Sequence, residues 1–422
     1  MLDLKKIVCE NLTLWQRVEF AIVLLMAFLV PISWRIATFA LVLWVVAAVV
    51  RSIAERGQVR LGASKIRRKW WYLLFAMFYV IHCVSMFYTE NLAEGWATLE
   101  KRLSFLLLPL VFLIFDFSYL GRENVRKVLW AFTLGILAVV CADLLSAAWD
   151  VLFRGAGTSR FFDVNLSSEH HTYISMHICV GIIVCFVELV RGKGKPLWQK
   201  LLLVLALALF TVATVLLSSR AGLLCMAAVY FFLFLWMIFG RKMYRAGIVT
   251  AVVAVVGVGV IAMAFPNSLE RVTNTAKSLF SSERTEDVRV TILRSTVPVA
   301  LDNWLTGVGV GDKIDAYMEQ YRKDGNQIPL EREYNSHNQF VDTTTVTGIL
   351  GLALMLCFFV VPAVLAIRDR RFDVVFALFL FVIFFNALFE SVFEKQAGIM
   401  FFVLLFVAMF NAEFVAEKKE KD

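Results

Sequence analysis

Apolar blocks of nearly membrane length follow one another along almost all of this 422-residue chain, separated by short polar connections. A helix needs about 20 predominantly apolar residues to cross the hydrocarbon core of a bilayer. Blocks of that kind are read as twelve helices over 18–33, 35–50, 70–88, 103–119, 128–148, 170–190, 201–218, 221–240, 247–265, 346–367, 374–389 and 398–415. The chain is 60% hydrophobic and 18% charged, with a mean hydropathy of +0.74. A soluble domain could not cover that much apolar surface with polar groups. In lipid, only helices and closed barrels satisfy every backbone group, and these blocks lack the two-residue alternation of barrel strands. The expected fold is an all-α integral membrane protein with about 12 transmembrane helices. Lys5, Lys6 and Arg17 flank the start, but the first block has no small-residue cleavage site and leads straight into the next, so no cleavable signal peptide is expected.

One connection breaks the pattern. Residues 266–345 form a polar interruption about 80 residues long, and every other connection is far shorter. The chain therefore divides into an N-terminal bundle of about nine helices (1–265), a long loop with short helices (266–345), and about three C-terminal helices with a basic tail (346–422). Helix-compatible periodicity within the loop covers 268–280, 286–301 and 312–321. Lysine and arginine in the short loops give the orientation. One set of loops carries 26 of the 42 basic residues and the opposite set carries 7, alternating consistently with twelve spans. Both termini are then cytoplasmic and 266–345 lies outside. The net charge of +8 is accounted for by these orienting loops, so no nucleic-acid partner is expected, only membrane lipids. The seven cysteines form no CxxC pair and suggest neither a zinc site nor a disulfide framework.

The outer residues able to carry chemistry are few. His337 stands in Asn335-Ser336-His337-Asn338-Gln339, just before the tenth span. Imidazole is the side chain best suited to take a proton at neutral pH. The bland alternative is an interfacial histidine that only hydrogen-bonds; the polar neighbours, Asn338 among them, could fix its tautomer or bind sugar hydroxyls. Arg220, in Ser218-Ser219-Arg220-Ala221-Gly222, is either a snorkelling anchor or a clamp on phosphate oxygens, for which a guanidinium fork is suited. Arg289 is either a second clamp or part of a solvated face. Lys101 and Arg102 open the fourth span on the outer side and would add positive potential there. His170 and His171 begin the sixth span, ahead of Tyr173; adjacent histidines on a helix cannot aim two rings at one metal, so no metal site is expected. Glu331, Glu333, Glu390 and Glu394 lack metal-ligand spacing. The Gly307-x-Gly309-x-Gly311 turn has no strand–helix context and is not a dinucleotide fingerprint. No Asp-x-Asp of the kind that holds a sugar-nucleotide metal is present. A base and two guanidiniums at an outer face suit group transfer from a lipid-linked diphosphate, a leaving group that needs only its negative charge stabilised.

In this order the residues resemble a known group. Ser219-Arg220-Ala221-Gly222-Leu223 looks like the Ser-Arg-Gly/Ala signature of the O-antigen ligase and polymerase superfamily (the Wzy C-terminal family). Arg289, followed by Asp302-Asn303-Trp304-Leu305-Thr306-Gly307-Val308-Gly309, resembles its Arg…x-Pro-Leu-x-Gly-Val-Gly segment. His337-Asn338-Gln339-Phe340 and Thr347-Gly348-Ile349-Leu350-Gly351 match its His-Asn and Gly-hydrophobic-hydrophobic-Gly signatures. The ordered set covers roughly 201–359; Trp304 departs from it by standing where the family often has Pro. The resemblance implies a metal-independent, GT-C-like glycosyltransferase without cofactor. It would reside in the bacterial inner membrane and move a glycan from undecaprenyl diphosphate to an acceptor such as lipid A-core at the periplasmic face. By the same carry-over, His337 is the general base and Arg220 and Arg289 bind the diphosphate, with supporting roles for Lys101, Arg102, His171, Tyr173 and Asn338.

Ligases, polymerases and protein O-oligosaccharyltransferases share these signatures and differ in acceptor. A ligase is preferred because one outer loop, the one bearing His337, dominates the polar material. The alternative from a different class is a twelve-helix transporter or flippase, which would use polar residues near the bilayer midplane, such as Asp143 and Asn386.

Overall fold

The computed structural model describes residues 12–55, 69–157, 159–163, 171–192, 194–217, 219–244 and 288–416. The expected ninth span at 247–265, the helix at 268–280 and the basic tail lie outside these residues. Among the described residues the chain is helical, without strands, and seven helices are long and apolar enough to cross a membrane. This is a multi-pass helical membrane protein.

The first two helices, α1 (Leu14–Leu29) and α2 (Trp34–Ala54), form a hairpin. Its entry is fixed by a capping box: the Thr13 hydroxyl accepts from Gln16 N–H, while the Gln16 side chain accepts from Thr13 N–H. A 3₁₀ turn over Trp70–Tyr72 leads into α3 (Leu73–Ser85), followed by α4 (Leu92–Arg102) and α5 (Ser104–Ile114). Next come α6 (Arg122–Phe153), the single turn α7 (Arg160–Asp163), α8 (His171–Arg191), α9 (Leu197–Leu216) and α10 (Arg220–Leu235), which runs on through a π turn to Gly240. The polar interruption supplies α11 (Val288–Asp302), α12 (Lys313–Asp324) and α13 (Gln327–Glu331). The chain closes with α14 (Gln339–Arg368), α15 (Val374–Ala387) and α16 (Gln396–Phe410).

Helices α8 and α16 are buried on almost every face. Each is apolar all round, as befits the centre of a bundle rather than its rim. Helix α8 packs against α6, α9, α10 and α15, and α16 packs against α5. Phenylalanines fill the space between α3, α5, α14 and α16: Phe75 stacks on Phe358 at 4.2 Å, and Phe105, Phe402 and Phe406 complete the group. By contrast, α2 and α9 leave Phe39, Leu43, Leu202 and Leu205 exposed in rows. Such rows would be a liability in water and suit contact with lipid.

The fourth expected span is shorter than read. Helix α5 ends at Ile114 and Phe115 is extended, where hydropathy alone carries the span to 119. Buried basic groups stop it: Lys69 Nζ donates to the carbonyls of Phe112 (2.8 Å) and Phe115 (2.6 Å), and Arg51 Nη2 donates to that of Asp116 (3.0 Å). They meet carbonyls that a helix end leaves without partners. At its other end, Lys101 and Arg102 do not open the span; they form the last turn of α4, separated from α5 by Leu103.

The two ends of the bundle differ. At one end, ion pairs link neighbouring helices: Arg122 to Glu413, Arg126 and Lys195 to Glu188, and Arg191 to Asp373. The other end carries α4 and the small layer α11–α13, which has its own core of Ile292, Val299, Tyr317, Met318 and Tyr321. The candidate site lies at this second end.

Candidate active site

The layer α11–α13 is fastened to the bundle through two glycine segments that dock on each other. Within α14 the helix breaks at Gly348 (φ 64°, ψ −157°), freeing backbone groups on either side. The glycine-bearing turn after α11 takes them up. Val308 N–H donates to Thr345 O (2.7 Å), Gly309 N–H to Val346 O (3.2 Å), and Ile349 N–H to Trp304 O (2.7 Å). The approach is so close that a Cβ on Gly307 would lie 2.3 Å from Val346 O, and one on Gly348 would lie 2.2 Å from Leu305 O. Trp304 takes part through its carbonyl and leaves its ring exposed, so the contact does not depend on the side chain at this position.

This break also explains the start of the tenth span. The lipid-length part of α14 runs from the break to Arg368, whereas Gln339 to Thr347 form a buried, polar first section. Asp342, Thr343, Thr345 and Thr347 all lie inside the protein. Asn338 caps this section, its Oδ1 accepting from Phe340 N–H (2.9 Å) and Val341 N–H (3.1 Å). Its amide nitrogen donates to Leu388 O at 3.1 Å. The Asn338 side chain, read from the sequence as a possible sugar contact, is thus engaged in holding the turn.

His337 sits immediately before this cap with φ 48°, an uncommon conformation for a residue with a side chain. The turn is held on both sides: His337 N–H donates to Asn335 Oδ1 (3.1 Å), and the Ser336 hydroxyl donates to Asp342 Oδ1 (2.6 Å). The imidazole packs edge-on against Tyr334, with ring centroids 5.5 Å apart. Its Nδ1 lies 3.2 Å from Glu390 Oε1. The Glu390 side chain is 7% exposed and that of His337 is 23% exposed, so the carboxylate lies beneath and the ring reaches outward. With Nδ1 carrying a proton toward Glu390, Nε2 is left as the acceptor.

Below the turn lies a buried charged cluster. Lys313, from α12, reaches Asp342 Oδ2 (3.3 Å) and contacts Glu394. Tyr317 donates to Asp342 Oδ1 (3.0 Å), and its hydroxyl oxygen lies 2.9 Å from Thr345 Oγ1. Burial opposes the Lys313 ammonium, but Asp342 and Glu394 outweigh it and hold its pKa above the ordinary lysine value. The stabilisation from that raised pKa is complete below the unfolded lysine value and is lost only as pH rises through the higher folded one, well above neutrality. Thermal unfolding measured across the neutral range should therefore show no transition belonging to Lys313. Arg102 is buried close by, its pKa lowered by burial against the attraction of Glu394 and Asp342. Among the described residues its Nη1 has no hydrogen-bond partner. Lys101, its neighbour, is turned outward and pairs with Glu94 at 3.4 Å.

Arg220 stands at the N-terminus of α10 with its side chain exposed. The residues around it have structural tasks: Ser219 caps the helix by accepting from Gly222 N–H, and Gly222 lets α8 approach, since a Cβ there would meet Ser175 Cβ at 2.5 Å. His171 joins the same turn, its Nδ1 lying 3.0 Å from Leu217 O. Two residues on, Tyr173 donates to Ser391 O at 3.0 Å, and Ser391 follows Glu390. Helix α8 thus connects the Arg220 turn to the segment that carries Glu390. Arg289 lies partly exposed in the first turn of α11, which packs on α14. His337 and Glu390 are in direct contact, while Arg220 and Arg289 stand on neighbouring elements at the same end.

Residues 205–356 match the protein family described as O-Antigen ligase. The matched segment begins within α9, ends in α14, and contains Arg220, Arg289, His337 and both glycine stretches. The family expected from the motifs and the family matched fall on the same residues. Glu390, Lys101, Arg102, His171 and Tyr173 lie outside the matched segment. No match is found among curated proteins. Sequence reading missed Glu390 as a partner of His337, because 53 residues and most of two apolar blocks separate them. The available signal was its place: a polar group in a short outer connection, 388–395, between two spans.

Proposed function

We propose that this protein is an O-antigen ligase-type glycosyltransferase of the inner membrane, working at its periplasmic face. It would move a glycan from undecaprenyl diphosphate to a hydroxyl of lipid A-core or a similar glycan acceptor. The observation that carries this reading is the contact of His337, which lies inside the family-matched region, with Glu390, at the bundle end that also bears Arg220. Glu390 holds the Nδ1–H tautomer, and Nε2 takes the proton of the acceptor hydroxyl as its oxygen attacks the first carbon of the donor sugar. The bond from that carbon to the diphosphate oxygen breaks, and the electron pair leaves with the diphosphate. Arg220 and Arg289 stabilise the charge that develops there. Each requirement of the transfer is met by side chains of the chain itself, so neither metal nor cofactor enters the scheme. A transport reading has less support: Asn386, a midplane candidate, spends its amide nitrogen on Val382 O and Cys225 Sγ in the buried core.

The purified protein in vesicles, given a lipid-diphosphate glycan and a core-type acceptor, should form the glycosidic product with a chelator present. Transport of the donor without bond formation would overturn the proposal. Arg220→Ala and Arg289→Ala should each raise the apparent KM for the donor by roughly 10-fold or more, leaving the acceptor KM nearly unchanged, as expected for loss of a charge-assisted phosphate contact. Unchanged donor KM in both would remove the clamps. Gene deletion with electrophoresis of surface glycans identifies the acceptor. A ligase loses all long glycan from lipid A-core, a polymerase leaves a single repeat unit, and a protein transferase alters glycoproteins alone.

A further inference from the structure

We propose that Lys313 is a positioning residue for this transfer, tying the turn that carries His337 to the segment that carries Glu390. The inference rests on the reading of that pair as the base and its orienting partner. Lys313 is buried, and its two anionic contacts belong to different elements. Asp342 lies in the first turn of α14 and accepts the Ser336 hydroxyl bond at 2.6 Å, one residue from His337. Glu394 lies in the tight turn that begins at Glu390, its N–H donating to Ser391 O at 3.0 Å. The ammonium therefore joins the two carboxylates whose backbones hold the imidazole on one side and its partner on the other.

Without that charge, Asp342 and Glu394 would face each other as like charges, offset in part by the neighbouring Arg102. Two neutral bonds also cross the same seam: Asn338 Nδ2 to Leu388 O (3.1 Å) and Phe393 N–H to Gln339 Oε1 (2.6 Å). Loss of Lys313 accordingly loosens the His337–Glu390 contact without opening the bundle. The source of Lys313 matters too. It comes from α12, in the same outer layer as Arg289, so the placement of that layer and the placement of the base depend on one side chain.

The test is steady-state kinetics of the full-length protein in vesicles, with a lipid-diphosphate glycan donor, together with thermal unfolding. Lys313→Met should lower kcat roughly 10- to 100-fold, as a small misplacement of a reacting group does, with the donor KM within about 2-fold of the parent. Lys313→Arg, which keeps the charge, should recover most of kcat. Adding Lys313→Met to Glu390→Gln should cost little beyond Glu390→Gln alone, because both act on one contact. If Lys313→Met does not fold, Glu394→Gln carries the same test, since it cuts one arm of the tether and leaves the Lys313–Asp342 pair intact. Parent kcat in the variant that folds, or losses that simply multiply in the double variant, would overturn the positioning role. An unimpaired His337→Ala enzyme is a separate result and would remove the reading on which this one rests.

Discussion

Replacing His337 by alanine is expected to abolish glycan transfer while leaving the protein folded and in the membrane. A positioned general base contributes about 100- to 10,000-fold to a rate of this kind, and no other imidazole stands on this turn to substitute for it. The ring is partly exposed, packs on Tyr334 and Glu390, and belongs to none of the apolar core clusters, so its removal empties no apolar core. The loss should fall on kcat, with the donor KM little changed, because donor binding is assigned to Arg220 and Arg289. Glu390→Gln is the companion measurement. It keeps the volume beneath the ring, removes the charge that fixes the tautomer, and should lower kcat on the order of 100-fold. Transfer at the parent rate in His337→Ala, with equal amounts of protein in the vesicles, would eliminate the proposed base.

How far the sequence could be read divides along the range of the forces involved. Hydropathy sees the lipid-facing length of a helix, and it places the tenth span at 346, beside the break at Gly348 where the lipid-length part of α14 begins. It cannot see a helix stopped by distant side chains, so it overruns α5, which ends where Lys69 and Arg51 take up its last carbonyls. Motif reading could propose Arg220, Arg289 and His337 because each stands in a local pattern. It missed the His337–Glu390 pair and the Lys313 cluster, whose members come from α12, α14 and the 388–395 segment and meet only once the bundle closes. It also could not see that Asn338 caps α14, since a cap and a sugar ligand look the same in one dimension; the hydrogen bonds show the cap.

Gly348→Ala should be among the most damaging single substitutions in the chain, although Gly348 touches no substrate. Its φ of 64° and ψ of −157° fall in a region that is essentially glycine's alone, worth about 1–3 kcal/mol of strain for any other residue. The added methyl would also lie 2.2 Å from Leu305 O, a backbone atom held by the docking of the two glycine segments. Neither part can yield cheaply, because the bonds from Val308 and Gly309 to Thr345 and Val346 fix one side and that from Ile349 to Trp304 fixes the other. Losing that docking separates α11 from α14, and with it the attachment of Arg289 and Lys313 to the His337 end. Strain and displaced contacts together should reach several kcal/mol, against a total stability of about 5–15 kcal/mol for a typical domain. The expected result is a large fall in the amount of folded protein extracted from membranes, with transfer lost in proportion. Gly307→Ala should behave alike, since its Cβ would sit 2.3 Å from Val346 O at φ 77°. Gly194→Ala is the control, because among the described residues no atom beyond its chain neighbours lies within 4 Å of a Cβ there. Equal yields of Gly348→Ala, Gly307→Ala and Gly194→Ala protein would show that the two segments do not dock as described.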